Sequence, residues 1–513
     1  MRLFTVLLLS TLPGCFGMHE RAGDGSSPRS PLDSGPLAFV DGGSPPITMS
    51  CVDSGYTGNG GCNTLEQIDA GPQSPPPPDG VDVALVASPS WTLAPGETAF
   101  ADFDGDGLDD IVLGSHDTPF GGSVASNASV IVVYGRRGGL RGTYSLDVPD
   151  AQLFGDTDEP GQRSERAMAT GDFDGDGIDD IALATAGTVT EGTVIIAFGR
   201  RARVTGAGGI DGLGLRLRLF RTVREIALSR AGDLDGDGID DLFVRVVEQD
   251  DTVHLFVLHG NADHGPDTDR AFAPDTTFRV TASTVTLGLG TAAGDLDGDG
   301  HDDALVVLTD DVRNEVRVLY GPFTGRDVSI EMAAARVPTA ADFGGMLGGF
   351  DANGDGLSDF AVSTATADGD AVAVFFGSRR RLAGTVSLSD AAAILTAASA
   401  DARLDTAIAA GDVDGDGRSD LLLGSPGFEG GAGRTDRVLG PPTTRSLGAA
   451  DRSWIGGNPS DASGLHWGQA LGAGVAQNGD FDGDGHADAL FSAPTVFAPE
   501  PFDTVYLVYG STR

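Results

Sequence analysis

From residue 81 to residue 513 short apolar runs alternate with stretches of glycine, serine and aspartate. The clearest runs are residues 130–135 (VIVVYG), 193–199 (TVIIAFG), 253–258 (VHLFVL), 316–321 (VRVLYG), 372–377 (VAVFFG) and 505–510 (VYLVYG). Four to six β-branched and aromatic residues bounded by turn formers predict strands. A second kind of run, such as 181–184 (IALA), precedes each of them. No long stretch has a 3.6-residue period, which excludes a helical solenoid.

These runs belong to one repeat. A Gly/Ala-rich lead-in, an acidic loop, an apolar run, a variable connection and a second apolar run recur in that order seven times. The loops begin at Asp102, Asp172, Asp233, Asp295, Asp351, Asp412 and Asp480, which lie 56 to 70 residues apart. About four short strands fit in such a unit, and four strands make one propeller blade. The predicted fold is therefore all-β, a seven-bladed β-propeller over residues 81–513. The last repeat ends one strand short, while the apolar stretch at residues 83–93 precedes the first full repeat without a partner. A strand from that stretch is expected to complete the seventh blade, sealing the ring without a long exposed sheet edge.

The acidic loop carries the chemistry. It reads Asp-x-Asp/Asn-x-Asp-Gly-x-x-Asp in every unit. Acids at positions 1, 3, 5 and 9 are Asp102, Asp104, Asp106 and Asp110; Asp172, Asp174, Asp176 and Asp180; Asp233, Asp235, Asp237 and Asp241; and Asp295, Asp297, Asp299 and Asp303. The series continues with Asp351, Asn353, Asp355 and Asp359; Asp412, Asp414, Asp416 and Asp420; and Asp480, Asp482, Asp484 and Asp488. A hard cation such as Ca²⁺ takes six to eight oxygen ligands from carboxylates and backbone carbonyls. Alternate acids converge in a tight turn, glycine at position 6 reverses the backbone, and Asp at position 9 closes the sphere. The carbonyl of position 7 is expected to turn inward at Leu108, Ile178, Ile239, His301, Leu357, Arg418 and His486, with the side chains of His301 and His486 incidental. Up to seven structural Ca²⁺ ions are predicted, the fifth held more weakly because Asn353 lowers the charge. An EF-hand is excluded, since its bidentate Glu at position 12 is replaced by Leu113, Leu183 and Val244 in the first three loops.

Charge and composition extend this picture. Seventy-five acids against 33 bases give a formal net charge of −42, which repels nucleic acid and repels the chain itself unless cations neutralise it. At the N-terminus a basic start and an apolar stretch at residues 3–12, too short to span a bilayer, predict an export signal. The following Leu12-Pro13-Gly14-Cys15 resembles a bacterial lipobox, which implies lipidation of Cys15 and attachment to the cell envelope through a lipid anchor alone. Residues 16–80 hold ten of the 27 prolines among serine and glycine and are expected to form a disordered tether of about 45 Å mean reach. Within it Cys51 and Cys62 are expected to form a disulfide.

The aspartate loops, with Gly424-Ser425-Pro426 and Ser492-Ala493-Pro494, resemble the FG-GAP repeats of the integrin α-subunit propeller over about residues 83–513. Exported bacterial FG-GAP (VCBS-like) proteins are the closer likeness, since nothing matches integrin legs or a membrane span. The resemblance implies that each cation loop joins the first two strands of a blade and that partners bind the opposite face. Connections on that face are long in repeats one, six and seven, which become neighbours on ring closure. A ligand patch is therefore expected around Phe120, Phe428, Trp454, Phe497 and Phe502. No nucleophile elbow, phosphate loop, zinc spacing or histidine triad appears, and a saturated cation would leave no position for activated water. The sequence reads as a monomeric cell-surface or secreted adhesion protein for a protein or glycan partner, not an enzyme. A lyase-like polysaccharide enzyme and a structural envelope component are the alternatives.

Overall fold

The computed structural model describes residues 65–67, 78–87, 93–115, 129–154, 168–186, 192–209, 213–219, 223–262, 268–280, 285–310, 314–339, 345–400, 402–404, 407–456, 470–494 and 503–511. The expected export signal, Cys15, the Cys51–Cys62 pair and Phe120, Phe497 and Phe502 lie outside these residues. Among the described residues no helix is long and apolar enough to cross a membrane.

Seven β-sheets form, one per repeat, in a seven-bladed propeller. In the second blade the four antiparallel strands are Met168–Gly171, Asp180–Ala186, Gly192–Ala197 and Gly214–Leu219, from the innermost outward. The acidic loop joins the first two, as the resemblance implied. Both faces of each sheet are covered by neighbouring blades, so the strands read as continuous apolar runs. Seven hydrophobic clusters result, each shared by two adjacent blades.

The seventh blade is completed by Val83–Val86, which pairs antiparallel with Thr504–Val508. Alternate side chains of this strand serve two interfaces. Val83 and Leu85 pack with blade one, whereas Ala84 and Val86 pack with blade six. The far end of the expected 83–93 stretch belongs elsewhere: Leu93 opens the innermost strand of blade one, Leu93–Ala101.

The four-strand expectation needs an addition. Six of the seven sheets gain an outer strand from the next blade, running parallel to their own fourth strand. Gly206–Gly209 of blade two joins Ala151–Phe154 of blade one, and Thr268–Ala271 of blade three joins Gly214–Leu219 of blade two. Equivalent pairings follow for blades three, four and five, and Gly142–Ser145 of blade one lies against Val83–Val86 of blade seven. The expected tether over 16–80 is corrected at its end, because Glu66–Gln67 pairs antiparallel with Gly142–Ser145 as a further edge strand and Leu65 packs on the core. Each donated strand lies between the donor's third and fourth strands, so every such blade is tied to its successor. Among the described residues blade six has four strands.

Leu85 is fully buried between the last and first blades. Leu85→Ala is expected to destabilise the protein by about 2–5 kcal/mol in urea unfolding, against well under 1 kcal/mol for Val81→Ala at the strand's approach. A Leu85→Ala cost as small as that of Val81→Ala would mean that the strand does not carry the closure.

Candidate metal loops

Each loop is built first from its own backbone. The position-1 carboxylate turns back and accepts the position-6 N–H at 2.8–3.0 Å in all seven loops, and one oxygen also accepts the position-5 N–H. The turn needs left-handed backbone twice. Position 6 has φ between +80° and +89°, and position 4, also glycine throughout, has φ between +64° and +85°. Only glycine adopts this freely.

Position 9 is committed to the backbone. Asp110, Asp180, Asp241, Asp303, Asp359, Asp420 and Asp488 are buried. In each, Oδ2 accepts the position-2 N–H of its own loop at 2.8–3.2 Å. Oδ1 accepts the N–H of the glycine after strand three, at Gly135, Gly199, Gly260, Gly321, Gly377, Gly440 and Gly510 (2.8–3.0 Å). This carboxylate staples the loop to the third strand. Burial outweighs those hydrogen bonds and pushes its pKa up, to about 8 at Asp110, Asp180, Asp241 and Asp488, about 7 at Asp303 and Asp359, and about 6 at Asp420. Neighbouring loop acids add to the rise.

Neighbouring loops interlock. The position-8 N–H donates to the position-1 carbonyl of the preceding blade, as Asp179 does to Asp102 (3.2 Å) and Asp240 to Asp172 (3.0 Å). The same bond crosses the ring junction, from Asp109 to Asp480 at 3.1 Å. Where position 8 is aspartate, its carboxylate takes the position-1 N–H of that preceding loop: Asp109 from Asp480, Asp179 from Asp102, Asp240 from Asp172 and Asp302 from Asp233. The position-7 side chain covers the position-4 glycine of the preceding loop, where a β-carbon would come within 2.3–3.2 Å. Leu108, Ile178, Ile239, His301, Leu357, Arg418 and His486 all sit this way. The expectation that His301 and His486 are incidental is thus corrected: their rings pack on Gly236 and Gly415 and close the belt.

What remains for a cation is mostly Oδ2 at positions 3 and 5, since Oδ1 at these positions accepts loop N–H groups. Carboxylate oxygens of Asp102, Asp104 and Asp110 lie within 4.8 Å of one another, as do those of Asp172, Asp174 and Asp180 and of Asp412, Asp414 and Asp420. The same holds for Asp233, Asp235 and Asp237 and for Asp295, Asp297 and Asp299. These clusters could hold an ion, and their all-oxygen donor set fits a hard divalent cation. In blade seven Asp482 Oδ1 is buried with no hydrogen-bond partner among the described residues, a position a cation would satisfy. In blade five Asn353 accepts from the Asp355 N–H and donates to the Asp355 carboxylate, compensating an acid inside the loop.

Of the expected ligand patch, the two described residues, Trp454 and Phe428, are buried. Trp454 is buried between blades six and seven, its ring 5.2 Å from that of Phe491 with Arg452 stacked on it. Phe428 is buried under the guanidinium of Arg434, which pairs with buried Asp436 at 2.7 Å. Both aromatics are packing residues. Trp454 is the one buried residue of the short strand Arg452–Ile455, and Phe428 stands in a turn, so neither belongs to an apolar run long enough to announce its burial. The same end of blade six has a feature that no residue pattern announces: Arg403, Glu429 and Ala470 adopt left-handed backbone with φ of +52°, +48° and +43°. Their segments are joined by hydrogen bonds from Gly427 N to Ala402 O and from Ala470 N to Gly431 O.

Several known proteins are similar to this chain in part. Integrin alpha-PS2 of Drosophila melanogaster is 25% identical over 256 residues, 45% of this chain and 18% of that protein, so the chain spans under a fifth of that relative's length. Among solved structures, the lectin BP39L from Burkholderia pseudomallei covers 80% of this chain and 98% of its own at 13% identity and a TM-score of 0.41. The exotype rhamnogalacturonan lyase YesX covers 82% of this chain and 73% of its own at 14% identity and a TM-score of 0.34. The family model described as FG-GAP repeat matches residues 405–435, which hold the blade-six loop. The chain carries FG-GAP repeat sequence on a seven-bladed propeller and is similar to an integrin α-subunit.

Proposed function

We propose that this chain is a calcium-stapled binding protein of the cell exterior, exported and held by lipid at Cys15, that presents the face opposite its metal loops to a protein or glycan. The seven aspartate loops would carry Ca²⁺ as structural ions, and no step of chemistry is assigned to them. The observation that supports binding at this face is the cluster of Arg403, Glu429 and Ala470. Three of the four non-glycine residues with positive φ among those described gather there, at the end of blade six away from its loop. Such backbone costs about 1–3 kcal/mol per residue and persists where the surroundings impose it, a pattern typical of binding sites. Arg403 and Glu429 are exposed on a support made rigid by the buried Arg434–Asp436 pair. The integrin likeness supports an extracellular binding role of this kind.

Glu429→Gly and Arg403→Gly would relieve this strain. Each is expected to leave the melting temperature unchanged or raise it slightly while abolishing retention of the calcium-loaded full chain on an array of matrix proteins and acidic glycans. Retention unchanged in both variants would move the site elsewhere.

Chelation tests the metals. With sites of about 0.1–1 mM affinity, excess calcium adds roughly 1–3 kcal/mol per occupied loop, so several loops together should raise the melting temperature by about 10 °C over protein in chelator. An unchanged midpoint would contradict the proposal.

The pH dependence should invert with the metal. Without a cation the position-9 carboxylates have folded-state pKa values of about 6 to 8, above the 3.8 of the free group. The native state then binds extra protons, so their stabilising contribution is complete at low pH and lost as pH rises through that window. Chelated protein should melt higher at about pH 5 than at about pH 8.5, and calcium-loaded protein should not, because bound Ca²⁺ competes with those protons. Melting curves at the two pH values check this. The same slope in both states would contradict it.

A further inference from the structure

The seven loops are not electrostatically equal. In blade one, Arg203 arrives from blade two, four residues past the glycine that ends its third strand. Its Nε donates to Asp104 Oδ2 and its Nη2 to Asp106 Oδ2, the latter at 2.8 Å. These are the position-3 and position-5 oxygens left over once the loop N–H groups have taken Oδ1. Tyr134, at the end of blade one's own third strand, holds the arginine in place. The guanidinium lies 4.6 Å from its ring centroid, and the Tyr134 hydroxyl donates to the Val204 carbonyl at 2.8 Å.

Blade four repeats the arrangement. Arg381 of blade five, again four residues past its glycine, donates through Nε to Asp297 Oδ2 and through Nη2 to Asp299 Oδ2 at 2.6 Å. It lies 4.8 Å from the centroid of Tyr320, whose hydroxyl accepts the Leu382 N–H at 2.8 Å.

Blade seven supplies an internal control. Tyr509 stacks with Arg141 of blade one at 4.5 Å and bonds the Leu140 N–H through its hydroxyl at 2.6 Å. Here the arginine lies six residues past Gly135, and its charge is 3.7 Å from Asp82. Asp482 Oδ1 is left without a partner. In blade two the residue at the tyrosine position is Phe198, and among the described residues no basic side chain bonds Asp174 or Asp176. Blades three and six carry one contact each, His259 Nδ1 3.0 Å from Asp235 Oδ2 and Arg418 Nη1 3.4 Å from Asp416 Oδ2, and in neither is a guanidinium bridged across both carboxylates.

We infer that Arg203 and Arg381 act as built-in counter-cations that set blades one and four apart as weak calcium sites, filled only when the guanidinium gives up the position-3 and position-5 carboxylates. This rests on the calcium reading of the loops. A guanidinium bridging two carboxylates is a strong, geometrically fitted partner, and affinity at an oxygen site follows the charge its ligands leave available. The two loops would keep their shape at low calcium, while the remaining loops respond to it.

Calcium titration of the full chain, followed by calorimetry and by the count of bound ions, separates the cases. Two of the bound ions should be at least roughly tenfold weaker than the rest in the unmodified chain. Arg203→Gln and Arg381→Gln should each move one ion into the tight class and lower the melting temperature in chelator. Arg141→Gln, whose arginine does not hold a loop carboxylate, should leave the classes unchanged. A single class of ions in the unmodified chain, or classes unchanged in both loop variants, overturns the inference while the calcium reading stands. No bound ion in any of these chains at about 10 mM calcium overturns both.

Discussion

Carboxylates drawn into a nine-residue turn repel one another and lose water, and the architecture of this protein follows from how that repulsion is relieved. The nearest donors are backbone N–H groups. Position 1 takes those of its own turn, position 9 takes one from the loop and one from the end of strand three, and position 8 reaches into the neighbouring blade. Satisfying the acids therefore links loop to strand and blade to blade. In blades one and four an arginine from the next blade bridges two of the carboxylates, whereas elsewhere single contacts such as Arg418 on Asp416 and His259 on Asp235 leave more oxygen for a cation.

One consequence is that the ring has two independent fastenings. Strand Val83–Val86 joins the chain ends within blade seven, and the belt of loops crosses the same junction through Asp109, Asp480 and the packing of Leu108 on Gly483. Donated outer strands add a further tie, at this junction through Gly142–Ser145 on Val83–Val86 and at most others. With one face committed to the belt and the sheets packed on both sides, variation is tolerated mainly in the connections at the opposite face. The left-handed residues of blade six lie there.

Much of this was legible because the repeat is strict. Positions 1, 3, 5 and 9, the glycine at position 6 and the missing final strand identify the blades and their closure from spacing alone. The glycine at position 4 stands in all seven loops, yet its second reason, the close approach of the position-7 side chain, comes from a unit some sixty residues away. The roles of positions 7 and 8 were hidden for the same cause, since a periodic residue declares its place in a repeat and not its partner in the next one. The donated strands are as short as two residues, as at Gly384–Thr385 and Arg445–Ser446, and lie at sheet edges where no apolar pattern is required. The burial of Trp454 and Phe428 was hidden because the strand Arg452–Ile455 is only four residues long and otherwise exposed, and Phe428 stands in a turn, so neither shows a period.

The loops fasten blade to blade through their own backbone, and the proposed cations would set the strength of that fastening. Hydrogen exchange at the position-8 amides of Asp109, Asp240 and Ala487, which bond the preceding loops of blades seven, two and six, tests it most directly. Those amides should be strongly protected in calcium and exchange together, at least roughly a hundredfold faster, once the ion is chelated. Protection that is the same in both conditions would mean that the blades are held together without the metal.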